Sequence, residues 1–279
     1  MRKILILISL SILFTRCELV DTFDETPMYL DIPEISFSST NSNISDNSQI
    51  SDVWVFVDGF SVGVFPLPAV VPVLGEDNVQ VSLFAGVRES GQVNVPVNYP
   101  FYERMEMEIP FQSGETIPVD FVTTYTDPTV LTLNDNFESF TAFDLDLDGD
   151  PASTITTTEN TPFGNLAGRI EVTPETSNYR QGTSALFNVS DFQSADIYLE
   201  LDHRNDVNFI VTISGTSNNS PLEQPVILLF PNDDWEKLYI DLSFILLAGD
   251  FDQFRIVIEG DGGAAQGFVD LDNIRLVHF

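Results

Sequence analysis

Seven residues in the middle of the chain, Asp144-Leu145-Asp146-Leu147-Asp148-Gly149-Asp150, form the most concentrated set of potential metal donors. Carboxylates at positions one, three and five, with glycine at six, can converge on one hard cation because glycine permits the tight turn. The pattern stops short of a helix-loop-helix calcium motif: its twelfth position is Ile155 and Pro151 follows directly. Two readings stand, a weak calcium loop that includes Asp144, Asp146, Asp148 and Asp150, and a solvated acidic turn. Other reactive types are sparse. The two histidines, His203 and His278, lack a metal-binding spacing and read as surface polar residues, and there is no Gly-x-Ser-x-Gly or phosphate loop. No catalytic constellation is present, so a non-enzymatic role is expected. Trp235, Tyr239, Tyr198 and Tyr179 are candidate stacking platforms for a planar or ring-shaped ligand, although the alternation around Trp235 equally suits a core cap.

These residues must be positioned by strands. From Ile50 onward, apolar residues alternate with polar ones over short runs: Val53 to Val57, Phe60 to Phe65, Val79 to Ala85, Met105 to Ile109 and Ile117 to Phe121. A period of two means one buried face and one wet face. Asp58-Gly59 between the first two runs is a hairpin signal. Beyond Thr126-Asp127-Pro128, which reads as a junction, nine further short strands are expected between Leu131 and Val277, with one helical turn near Leu242 to Ala248. The expected fold is all-β, with two tandem β-sandwich modules over residues 50–126 and 127–279, the second a jelly roll.

The first seventeen residues address the chain. Arg2 and Lys3 precede an apolar run, Ile4 to Phe14, too short to cross a bilayer, and the sole cysteine, Cys17, follows. This resembles the lipobox of bacterial lipoproteins, which implies removal of residues 1–16, lipidation of Cys17 and export to the outer membrane, on its periplasmic or cell-surface side. Arg16 stands where that family has a small residue, and the alternative is a plain secretory signal with a free thiol. Residues 17–49, rich in Ser, Asn, Asp and Thr, read as a flexible tether, with a strand around Met28 to Phe37. After Arg16 the chain carries 43 acidic residues against eight basic ones, and Lys237 is its only lysine. Such a field disfavours nucleic acid and anionic headgroups.

Val57-Asp58-Gly59 with Val62-Gly63 and Pro66 resembles a PEGA-like surface domain, and with Tyr99-Pro100-Phe101-Tyr102 the region is similar to uncharacterised surface lipoproteins of Bacteroidota. In the second module four stretches resemble galactose-binding-like jelly rolls of the carbohydrate-binding type: Asn136-Phe137-Glu138, Tyr179 to Ala185, Trp235 to Leu242, and Val269 to Ile274. The resemblance implies a glycan ligand and a structural calcium at Glu138 and Asp272. The acidic loop after Phe143 also resembles cleaved-adhesin-type jelly rolls. Placing Asp270, Asp272 and Ile274 on one face of a strand is odd; a metal or a bulge would account for it. Two roles follow as expectations: a glycan-binding lipoprotein, or an accessory subunit of an outer-membrane protein complex with Tyr99 to Tyr102 as exposed anchors.

Overall fold

The computed structural model describes residues 26–90, 95–176, 178–192, 196–263 and 266–279. The leader and Cys17 lie outside the described residues. Two β-sandwiches are present, each with its own hydrophobic core.

The N-terminal module contains β1 (Met28–Ile32), β2 (Ile35–Phe37), β3 (Asp52–Val57), β4 (Phe60–Pro66), β5 (Ala69–Val73), β6 (Asn78–Arg88), β7 (Pro96–Asn98), β8 (Met105–Pro110), β9 (Thr116–Pro118) and β10 (Phe121–Thr123). One sheet runs β4-β3-β6, with β7 and β8 both on β6. Facing it are β5-β1-β9 and the parallel pair β10-β2. The Asp58-Gly59 hairpin forms as expected, with both residues at positive φ (50° and 81°).

The tether reading of residues 17–49 needs correction. Met28, Leu30 and Ile32 are fully buried, and Ile35 and Phe37 nearly so, in the core of the first module. The module therefore starts near residue 28, not 50. Pro33 divides the early strand in two, since a residue without an N–H interrupts the ladder. Residues 38–49 form a strap lying against the second module. Asn43 O accepts from Asn134 Nδ2 at 3.1 Å and Ser45 O from Arg275 Nη2 at 3.1 Å. Asn47 Nδ2 donates to Asp202 Oδ1 at 2.6 Å, and Gln49 bonds both Tyr239 and Lys237. Polar side chains that looked like linker composition are satisfying buried groups.

The C-terminal module holds β11 (Val130–Asp135), β12 (Leu145–Asp146), β13 (Thr156–Thr158), β14 (Ala167–Val172), β15 (Asn178–Gly182), β16 (Phe187–Asn188), β17 (Ile197–Asn205), β18 (Phe209–Ser217), β19 (Ser220–Leu229) and β20 (Asn232–Asp241). The helical turn α1 (Ser243–Ala248), β21 (Gln253–Asp261) and β22 (Gly267–His278) complete it. Its two six-stranded sheets run β13-β14-β22-β17-β20, with β11 on β22, and β12-β15-β21-β18-β19, with β16 on β21. Leu199, Leu201, Leu238, Ile240, Ile274 and Leu276 point inward from the first sheet. The odd pattern around Asp272 is a bulge: Asn273 sits at φ 48°, and the β17–β22 register shifts between Glu200 and Asp202. That shift puts Asp270 and Asp272 on the outer face while Ile274 turns into the core.

The first module docks on that outer face. Tyr198, Tyr239 and Val277 join its core, and Glu89 forms a bridge with Tyr239. At the centre is Glu200, with no exposed surface, 2.9 Å from Lys237 Nζ and 3.5 Å from Arg275 Nη1. Tyr99 and Tyr125 of the first module donate their hydroxyls to Glu200 Oε1 at 2.6 and 2.8 Å. Burial alone would raise the Glu200 pKa, but Lys237 and Arg275 beside it, with the Tyr99 hydroxyl, hold it below the ordinary carboxylate range. Removing one member of such a cluster leaves buried charge unpaired, at a cost of about 3–5 kcal/mol. Glu200→Ala is therefore expected to lower unfolding stability by about that much, measured by guanidinium denaturation, and to separate the unfolding of the two modules.

Candidate functional site

The outer face of the β14-β22-β17-β20 sheet changes character along its length. Cross-strand register sets four rows: Tyr198 with Val277; Glu200 with Arg275 and Tyr239; Asp202 with Asp272 and Lys237; then Arg204 with Asp270, itself opposite Arg169. The first module and its strap cover the first three rows. The fourth is the uncovered end.

There Asp270, wholly buried, holds two arginines. Arg169 binds it through Nε (2.6 Å) and Nη2 (2.7 Å), and Arg204 Nη2 lies 2.5 Å from Oδ2. The fixed guanidinium groups stack on aromatic rings: Arg169 over Phe268 at 4.5 Å, Arg204 over Phe268 at 5.2 Å and over Trp235 at 5.5 Å. Phe163, from the loop between β13 and β14, meets Trp235 edge-to-face at 5.3 Å. The three rings are half-buried, so each keeps part of its surface in solvent.

Small polar cavities lie at both ends of this strip. One of about 280 Å³ adjoins Phe163 and is lined by Asn43, Asn136, Glu138, Asn165 and Asp272. The other, about 240 Å³, adjoins Phe268 and is lined by Arg169, Glu171, Asp206 and Gln266. The two carboxylates of the first cavity differ. Glu138 accepts from the side chain of Asn165 and from the Asn165 and Leu166 N–H groups, which lower its pKa. Asp272 is pushed up to about 7 by burial, against the opposing hydrogen bonds from Thr161 and the Asn273 N–H.

Of the four aromatic candidates, only Trp235 lies on this strip. Tyr179 is buried in the jelly-roll core with its hydroxyl on Asn208 O, and Tyr198 and Tyr239 lie under the first module. Those three rings cannot serve as platforms, because no face is left open to a ligand. His203 and His278 are likewise buried, not surface residues. His203 Nδ1 pairs with Asn205 Oδ1 at 2.8 Å, and burial lowers its pKa.

The acidic loop folds onto its own backbone. Asp146 Oδ1 accepts from the Asp148 and Gly149 N–H groups, and Asp150 Oδ1 accepts from Ala152 N–H. Asp148 accepts from Asp150 N–H, from Ser153 Oγ, and from Arg180 N–H on β15 at 2.5 Å. Among the described residues, no three acidic or histidine side chains come together as metal donors. Asp146, Asp148 and Asp150 thus cap the backbone of their own turn. Glu138 and Asp272 line the same cavity, with Glu138 accepting from Asn165 and Leu166 and Asp272 from Thr161 and the Asn273 N–H.

No family model and no curated protein matches the chain. Among solved structures, the chain is similar to the family 11 carbohydrate-binding module of a cellulosomal cellulase from Clostridium thermocellum, at 14% identity and TM-score 0.38, covering 54% of this chain and 95% of that one. A family 29 carbohydrate-binding module aligns at 16% identity and TM-score 0.35, covering 54% and 86%. The C-terminal family 22 module of a Clostridium thermocellum protein, Xyn10B, aligns at 12% and 0.36, covering 53% and 92%. Likenesses this remote carry no argument about what this chain binds.

Asp272 makes a testable contribution to pH dependence. Its folded pKa, pushed up to about 7, lies above the ordinary aspartate value of 3.8, so the folded state holds its proton more tightly. The associated stability is complete below about pH 4 and is lost as pH rises through 7. Asp272→Asn is expected to flatten that part of the stability profile, which chemical denaturation at pH 4, 5.5, 7 and 8 will report. A slope identical to that of the parent would contradict the assignment.

Proposed function

We propose that the chain is an exported, lipid-anchored, non-catalytic glycan-binding protein whose site is the uncovered end of the jelly-roll sheet. One observation carries this reading: Phe163, Trp235 and Phe268 line up beside the Arg169–Asp270–Arg204 triad, with a polar cavity at either end. Sugars present apolar C–H faces and a rim of hydroxyls. A half-buried aromatic strip takes the faces, while fixed guanidinium N–H groups and nearby amides and carboxylates take the hydroxyls. Because both arginines are already paired with Asp270, the strip offers oriented donors without a strong positive field, and a neutral chain of several sugar units suits it best.

The anchor and outer-membrane address rest on the leader and Cys17 alone. The alternative role, an accessory subunit of an outer-membrane complex, loses its expected anchors: Tyr99 and Tyr102 are buried against the chain's own second module.

Affinity electrophoresis and calorimetry against soluble neutral polysaccharides, a β-glucan, a xylan and a mannan among them, test the proposal. Binding to at least one is expected, weakened roughly 10- to 100-fold by Trp235→Ala, as for truncation of a central aromatic contact. Tyr179→Phe, on the opposite sheet with its ring in the core, should bind like the parent. Absence of binding to every polysaccharide, or binding indifferent to Trp235→Ala, would overturn it.

A further inference from the structure

The first module has two distinct ends. At one, Ser51 N–H bonds Gly86 O, Tyr99 reaches Glu200, and Glu89 bridges to Tyr239, so this end grips the jelly roll. Strand β6 runs away from it for 11 residues, about 35 Å at the usual rise, to Asn78, which pairs with Pro110. At this far end the described chain begins. Thr26 O accepts from Ser113 Oγ, Pro27 O accepts from Gly114 N–H, and Met28 pairs with Val73. Leu74, the next residue after Val73, stands beside the entering chain. The Asp58-Gly59 hairpin closes at the same end, with Asp58 N–H on Gln80 O.

Two large apolar side chains at this tip are open to solvent: Phe60 is 78% exposed and Leu74 is 53% exposed. Phe60 opens β4 opposite Val57, so its ring projects from the strand at the tip and takes no part in closing the Asp58-Gly59 turn. Around them stand Asp58, Glu76, Asp77 and Glu115, all exposed.

We propose that this tip is a membrane-resting surface, with Phe60 and Leu74 entering the headgroup region of the bilayer that holds the anchor. The proposal rests on the reading of Cys17 as lipidated. Thr26 is nine residues beyond Cys17, and even a fully extended segment of that length spans only about 30 Å. The tip therefore cannot stray far from the lipid surface, and the module stands between membrane and jelly roll as a spacer. The four carboxylates select against anionic lipid, so the matching surface is zwitterionic.

The test uses full-length protein purified from membranes and reconstituted into phosphatidylcholine vesicles, plain or with brominated acyl chains. Phe60→Trp adds an emitter at the tip, and Phe244→Trp adds one at an exposed site on the jelly roll. The emission that Phe60→Trp adds over the parent should fall at least about twofold in brominated vesicles, as for an interfacial side chain, while that of Phe244→Trp stays unchanged. Replacing a third or so of the lipid with phosphatidylglycerol at low salt should reduce the quenching. If the protein floats with vesicles but both emitters are equally unquenched, the tip proposal fails and the anchor reading stands; a second copy or a protein partner would then be the occupant to seek. If the parent and Cys17→Ser alike fail to float, the anchor reading fails and takes this proposal with it.

Discussion

A carboxylate with no access to water has to be compensated from every side, and Glu200 meets that requirement only because two modules meet over it. Its cations, Lys237 and Arg275, come from neighbouring strands of its own sheet, but two of its hydroxyl donors come from the other module. The jelly roll alone would expose this cluster, and the first module alone would expose Tyr99 and Tyr102 at its end. Neither face is suited to solvent in isolation. The strap over residues 38–49 extends the same logic to Asp202, whose pKa is raised by burial and which Asn47 and Asn273 serve as donors. A buried ion pair is weak evidence for stability in general, since desolvation offsets much of the attraction. Here its consequence is specificity of docking: any other orientation of the modules would leave one of these groups without a partner.

That docking also decides where a ligand can go. Three of the four rows of a sheet face that would otherwise be continuous are covered by the molecule itself, and what remains open is the Arg204–Asp270–Arg169 row with its rings. The site gains rigidity from the arrangement. Asp270 fixes both guanidinium groups, Phe268 lies under both, and β14, β22 and β17 supply one residue each by register alone. Pre-organised donors lose little freedom when a ligand arrives, which matters for a shallow site that cannot bury much surface.

The sequence disclosed the strands well and the side-chain destinations poorly. Period-two alternation located most strands of both modules, because one buried face leaves a mark in local order. The Asp58-Gly59 hairpin was legible for the same local reason. The tether was misread because a polar segment can serve buried groups as readily as it solvates a linker: Ser45 O accepts from Arg275 and Asn47 Nδ2 donates to Asp202, and only these long-range partners distinguish the two. Tyr179, Tyr198 and Tyr239 share the composition of a binding platform but lie on covered positions, and coverage by another module leaves no local pattern. Phe163, Arg169, Arg204 and Phe268 went unnoticed since they come from separate segments joined only by sheet register. The signal closest to the site was the misfit at Asp270 and Asp272, where the expected alternation broke; the bulge at Asn273 explains it.

The distribution of the few cations bears on how this surface recognises anything. Among the described residues, seven of the eight basic side chains beyond the leader form ion pairs within the chain. Arg255, the eighth, donates to Thr183 O. Positive charge is thus used as internal fastening, and the outer surface is left acidic nearly everywhere. Long-range steering toward anionic ligands is absent, and attraction at the candidate strip must come from stacking, dispersion and hydrogen bonds at contact distance. Such contacts are barely screened by salt, whereas a field-driven site would weaken steeply as ionic strength rises. The acidic field instead keeps copies of the molecule and anionic surfaces apart, so close approach is favoured where an aromatic or aliphatic side chain stands clear of the carboxylates around it.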